Sequence, residues 1–96
     1  MLYVIFGKDK PNSPRLANYD AHKAYLGKAP VKIVFSGPLV DDKDRDKMIG
    51  SMFLIDADSI EKVIDFNRND PFYKAGVWEH LYIEAFHKRA GIELKY

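Results

Sequence analysis

The stretch Asn69-Asp70-Pro71-Phe72-Tyr73-Lys74-Ala75-Gly76-Val77-Trp78 decides the fold, because a helical pattern ends in it and an alternating strand leaves it. Asp70 is an N-cap residue type whose carboxylate accepts a backbone N–H, and Pro71 suits the first helical position that follows. Gly76 closes the short turn, since glycine takes the left-handed conformation at a helix end without cost. A carboxylate is thereby held where helix meets strand. From Val77 to about Phe86 the residues alternate. Trp78, His80, Tyr82, Glu84 and Phe86 are expected on one face, with Val77, Glu79, Leu81, Ile83 and Ala85 on the other.

Upstream of this stretch, Ile60, Val63, Ile64 and Phe66 recur at helical spacing after Asp58-Ser59, either of which is a candidate cap. Before that helix, Met48 to Ala57 reads as a strand carrying Gly50-Ser51, a glycine position that signals a bulge or a close approach by another group. The mixed-sign run Asp41-Asp42-Lys43-Asp44-Arg45-Asp46-Lys47 reads as a solvated hairpin loop. It lacks the glycine and glutamate of an EF-hand loop. Val31 to Val40 is a further strand, with Gly37-Pro38 breaking or bending it near its end. From Arg15 to about Lys28 the pattern is helical. Leu16, Tyr19, Lys23 and Leu26 fall at three- and four-residue steps, and His22 lies on the same flank as Tyr19 and Leu26. The chain opens with a β-branched and aromatic strand, Leu2 to Gly7, and a proline-punctuated polar loop. A strand that begins so early is expected in the middle of the sheet. Residues 87–96 form a polar tail whose end, Ile92-Glu93-Leu94-Lys95-Tyr96, is expected to pack on a neighbour.

The element order is therefore β-α-β-β-α-β, which predicts an α+β, ferredoxin-like fold: a four-stranded antiparallel sheet with both helices on one face. With 96 residues the chain is expected to form a single domain over residues 1–96. Helices cover only one face, yet both alternating sets of strand residues are apolar or aromatic. An uncovered apolar sheet face predicts a homodimer, two sheets packed face to face.

Composition excludes several classes of function. Fifteen Lys and Arg stand against fourteen Asp and Glu, a net charge of +1 that leaves no electrostatic footprint for nucleic acid or an anionic membrane. There are no cysteines, so disulfides, thiolate nucleophiles and cysteine-held zinc are out. The three histidines show no H-x-x-x-H spacing and no phosphate-cradling glycine loop is present, so neither a metal site nor a cofactor is expected. No apolar run approaches the ~20 residues that span a bilayer. The apolar start has no charged leader region, and a cytoplasmic protein is the expectation.

The whole chain resembles the YciI-like family of the dimeric α+β barrel superfamily, which also holds relatives of muconolactone isomerase. The resemblance rests on Leu2-Tyr3-Val4-Ile5, Arg15 with His22, Ser36-Gly37-Pro38-Leu39, Gly50-Ser51, Asp70-Pro71-Phe72, Ala75-Gly76-Val77 and Ile83-Glu84-Ala85-Phe86. It implies a His22–Asp70 pair in a small pocket, with Arg15, Gly37, Ser51 and Phe72 as substrate-binding neighbours. Lys23 stands where the family pattern has a hydrophobic residue. Relatives suggest a dehydrochlorinase-like or lactone-isomerase-like role.

Such a pair has a definite chemistry. Histidine is the side chain whose ordinary titration falls near neutral pH, and a carboxylate on one ring nitrogen fixes the tautomer and leaves the other nitrogen as a base. A dyad without a nucleophile suits proton abstraction beside a carbonyl, isomerisation or elimination, on a small oxygenated cyclic or aromatic-derived molecule. Ser51 activated by His22 would instead give a hydrolase, a lesser reading because no oxyanion-hole signature accompanies it. The alternative is a non-catalytic ligand-binding or accessory dimer module, in which Asp70 only caps its helix and His22 is a packed, hydrogen-bonded residue.

Overall fold

The alternating opening residues form β1, Leu2–Asp9, two residues longer than expected, because Lys8 and Asp9 still find partners on a neighbouring strand. In this computed structural model, which describes residues 1–94, helix α1 (Tyr19–Leu26) follows, then β2 (Lys32–Val40) and β3 (Met48–Asp56). Helix α2 (Ile60–Arg68), the one-turn helix α3 (Pro71–Lys74) and β4 (Trp78–Phe86) complete the order. The strands lie in the order β2-β3-β1-β4, with every neighbouring pair antiparallel, which is the ferredoxin-like α+β arrangement. β1 is an interior strand, as its position in the sequence implied. Pro38 does not break β2. It sits on an edge strand, where a missing N–H costs no ladder bond, and Pro38 pairs with Ser51.

One face of the sheet carries the core. Tyr3 and Ile5 of β1 and Phe53 and Ile55 of β3 meet Val63 and Phe66 of α2, with Tyr25 and Leu26 of α1 packed against them. Each large side chain removed from water here contributes roughly 1.5–3 kcal/mol. A phenol bond locks the two helices together: Tyr25 Oη donates to the Phe66 carbonyl at 2.7 Å, and the two rings stack at 5.4 Å. Burial pushes the Tyr25 phenol above its ordinary value, and the negative charges of Asp70 and Asp65 push it the same way, so it keeps the hydrogen it donates.

Two expectations need correction. The helix does not begin at Arg15. A single 3-10 turn, Leu16–Asn18, comes first, and the backbone leaves helical geometry at Asn18 before α1 starts. That break resets the phase, and Leu16, expected on the apolar stripe, is 75% exposed. Nor does Trp78 share a face with Tyr82 and Phe86. β4 pairs His80 with Lys8 but Trp78 with Asp9, so Glu79 is an extra residue and the strand rolls there. Trp78 therefore joins the helix-covered core. Gly7 makes this possible, for a Cβ on it would stand 2.7 Å from the indole. In the tail, Lys88 Nζ donates to the Ile92 carbonyl, and Ile92 is exposed in the single chain. The last two residues of the segment expected to pack on a neighbour, 95–96, lie outside the described residues.

The other sheet face has no helix. Register places Phe6 opposite Met52 and Tyr82, Val4 opposite Leu54, Leu2 opposite Phe86, and Phe35 opposite Leu54. On this face Phe6 is 36% exposed, Phe35 48%, Phe86 47% and Tyr82 58%.

Candidate active site

Local chemistry builds the carboxylate side of the site. A residue before proline is pushed out of the α region, and Asp70 accordingly adopts φ −67°, ψ 131°, which ends α2 and redirects the chain. Its Oδ1 then accepts the Phe72 backbone N–H at 2.8 Å, the N-cap bond that starts α3. At the other end Gly76 takes φ 71°, Val77 N–H reaches the Phe72 carbonyl at 3.0 Å and Gly76 N–H the Tyr73 carbonyl at 3.1 Å. This is a Schellman closure, which feeds the chain directly into β4.

Across from it, α1 supplies His22. Its Nδ1 lies 2.8 Å from Asp70 Oδ1, between residues 48 apart in sequence. A carboxylate is an acceptor only, so it holds the hydrogen on Nδ1 and leaves Nε2 as the basic nitrogen. The imidazole is stacked on Phe72 at 3.7 Å and 4° between planes, with Phe53 edge-on at 6.1 Å. Asp70 is fully buried and His22 nearly so. Asp70 Oδ1 thus serves the helix cap and the imidazole together.

A second cluster adjoins this one. Arg15 donates from Nε and Nη2 to the two carboxylate oxygens of Asp9, both at 2.8 Å, and from Nη2 to Ser51 Oγ at 2.7 Å. Trp78 Nε1 donates to the same Ser51 oxygen at 3.3 Å. The guanidinium also lies over the Phe72 ring, 4.8 Å from its centroid. Phe72 therefore supports both clusters, with His22 stacked on it, Arg15 above it and Trp78 edge-on at 5.9 Å.

Both clusters meet at a cavity of about 230 Å³ lined by Arg15, Tyr19, His22, Lys23, Leu26, Ser36, Gly37, Pro38, Ser51 and Phe53. It is smaller than the ≈300–1,000 Å³ of drug-sized sites and suits one small molecule. Of the residues expected at the site, Arg15, His22, Gly37 and Ser51 line this space. Asp70 stands behind the imidazole, and Phe72, expected as a substrate contact, lies fully buried beneath it and not on the cavity wall. Ser51 Oγ is bonded to Arg15 and Trp78, and no hydrogen bond joins it to His22 among the described residues. Sequence reasoning missed Asp9 and Trp78. Strict alternation along β4 puts Trp78 on the opposite face, and Asp9 carries no signal beyond being a carboxylate between two lysines. A larger, more open cleft of about 780 Å³ shares Arg15 but contains neither His22 nor Ser51. Among the described residues no group of three or more His, Asp or Glu is placed to hold a metal ion, and no helix is long and apolar enough to cross a membrane.

Comparison with known proteins sets this geometry in context. A model of the YCII-related domain matches residues 1–87. Protein YciI of Escherichia coli is 33% identical, over 92% of this chain and 98% of the relative. An uncharacterised protein of Haemophilus influenzae is 30% identical over the same shares. Among solved structures, 5-chloro-2-hydroxyhydroquinone dehydrochlorinase (TftG) of Burkholderia phenoliruptrix AC1100, in complex with 2,5-dihydroxybenzoquinone, superposes with a TM-score of 0.81. The sequence identity is 38%, and the match covers 91% of this chain and 94% of that one.

Proposed function

The chain belongs to the YCII-related domain family, and on that premise we propose that it is a small-molecule enzyme in which His22 is the general acid–base and Asp70 its orienting partner. The observation that carries this reading is the 2.8 Å bond from His22 Nδ1 to a fully buried carboxylate, with the same imidazole lining a small cavity. Nε2 takes a proton from the substrate. The electron pair left behind moves into the adjacent unsaturated system and either expels a leaving group as its anion or is reprotonated at another carbon by the imidazolium. Both outcomes need one base and no protein nucleophile. The likeness to a dehydrochlorinase supports the elimination form and a small oxygenated ring as substrate.

The test is chloride release from 5-chloro-2-hydroxyhydroquinone, compared with buffer and with the His22→Gln protein. Acceleration by the wild type that His22→Gln loses is the expected result. Wild-type protein that binds 2,5-dihydroxybenzoquinone yet releases chloride no faster than buffer would overturn the catalytic reading in favour of a ligand-binding module.

The same proposal includes a homodimer formed through the helix-free face. Phe6, Phe35, Tyr82 and Phe86 make a contiguous apolar surface of the kind soluble monomers avoid. At micromolar concentration the protein is expected to sediment with twice the chain mass. Phe35→Glu combined with Tyr82→Glu, both already exposed in one chain, should give a monomer with unchanged circular dichroism. A wild type that sediments as a monomer rules the dimer out.

A further inference from the structure

We propose that Ser51 is an obligate hydrogen-bond donor to an oxyanion of the bound ligand, which makes this a site for small molecules carrying a phenolate- or enolate-type oxygen. The inference rests on the acid–base reading for the location of the ligand and adds its chemical class.

A serine hydroxyl has one hydrogen to give and two lone pairs to receive. Arg15 Nη2, at 2.7 Å, and Trp78 Nε1, at 3.3 Å, are both donor-only groups, so they occupy both lone pairs. Ser51 cannot accept from a ligand; what remains to it is its own hydrogen. No hydrogen bond among the described residues has Ser51 as donor, the residue is 3% exposed, and it lines the cavity together with His22. A hydroxyl that receives from a guanidinium is polarised by it and becomes a stronger donor, since charge-assisted chains reinforce one another.

The cavity's charge agrees with this count. Its two ionised wall residues are cations, Arg15 and Lys23, and no carboxylate lines it. Asp9 faces Arg15 from outside the wall, and Asp70 is screened behind the imidazole. A single donor suits one concentrated oxygen charge, as on a phenolate or enolate. With His22 Nε2 on the same wall, a ligand oxygen bonded to Ser51 gains negative charge as the base removes a proton from the conjugated system, so the bond strengthens as the reaction proceeds.

The probe is 4-nitrophenol, whose ionised form is yellow, with 4-nitroanisole as its non-ionisable counterpart. On adding wild-type protein at a pH near the phenol's own titration point, the yellow form is expected to increase. The phenolate should bind at least about tenfold more tightly than the ether, the size of effect for a hydrogen bond to a charged group. Ser51→Thr, which keeps the hydroxyl, should retain this preference, and Ser51→Ala should abolish it. Because Ser51→Ala takes the acceptor away from the Arg15 and Trp78 donors and risks the fold, the wild-type comparison of the two probes stands as a test without it. Equal binding of phenolate and ether, no binding of either, or a folded Ser51→Ala protein with undiminished phenolate preference would each overturn the inference. Loss of phenolate preference alongside His22-dependent turnover sinks this inference alone. Phenolate preference in a wild type without turnover upholds it and sinks only the acid–base reading.

Discussion

His22→Gln is expected to slow chloride release from 5-chloro-2-hydroxyhydroquinone by about 10²–10⁴-fold, the usual worth of a positioned acid–base group. Glutamine is the informative replacement. Asp70 is fully buried and bonded to the imidazole at 2.8 Å, so alanine at 22 would strand a carboxylate without its side-chain partner, at a cost of about 3–5 kcal/mol if it stayed charged. A glutamine amide can donate to Asp70 in place of Nδ1–H but offers no basic nitrogen to the cavity. The expected outcome is therefore a folded protein with a normal thermal transition and a collapsed kcat. Undiminished turnover in that variant would mean that the imidazole serves packing only.

Phe72→Ala is expected to lower unfolding free energy by about 3–5 kcal/mol, read as a drop in the urea midpoint, and to abolish activity in whatever fraction stays folded. The ring is fully buried and stands at the junction of three contacts: the stack with His22 at 3.7 Å, the Arg15 guanidinium at 4.8 Å and the edge of Trp78 at 5.9 Å. Deleting it removes transfer energy and leaves a void, and these add. It also frees the imidazole plane, which the single bond to Asp70 does not fix. Phe72→Leu, which keeps most of the volume but no flat face, should recover more stability than activity. Parallel recovery of both would show that the ring acts by bulk alone.

What could be read from the sequence was governed by the range of each interaction. Pro71 and Gly76 act on their immediate neighbours, so the Asp70 cap, the one-turn helix and the left-handed closure all stand where the chain predicts them. The β-α-β-β-α-β order followed from periodicity for the same reason. Two local patterns misled. Leu16 lost its helical phase because Asn18 leaves helical geometry, a property of one residue's backbone that spacing cannot register. Trp78 changed faces because β4 has an extra residue opposite Lys8 and Asp9, and a bulge is decided by the partner strand and by the room that Gly7 gives. The contacts that bring the two halves of the site together are long-range. His22 and Asp70 are 48 residues apart, and Ser51 receives bonds from residues 36 and 27 positions away. The His22–Asp70 pairing was accessible through family resemblance; the two donors on Ser51 were not, since neither is a local feature of residue 51.

The shared oxygen Oδ1 of Asp70 changes how other chains of this family should be interpreted. The cap at the start of the one-turn helix by itself favours a short polar residue, aspartate among them, whether or not its pairing with His22 is used for chemistry. Finding it is therefore poor evidence of an active protein. On the acid–base proposal, position 22 is the more telling one, since the helix cap makes no demand on it, and a screen for degenerate copies should sort on it first.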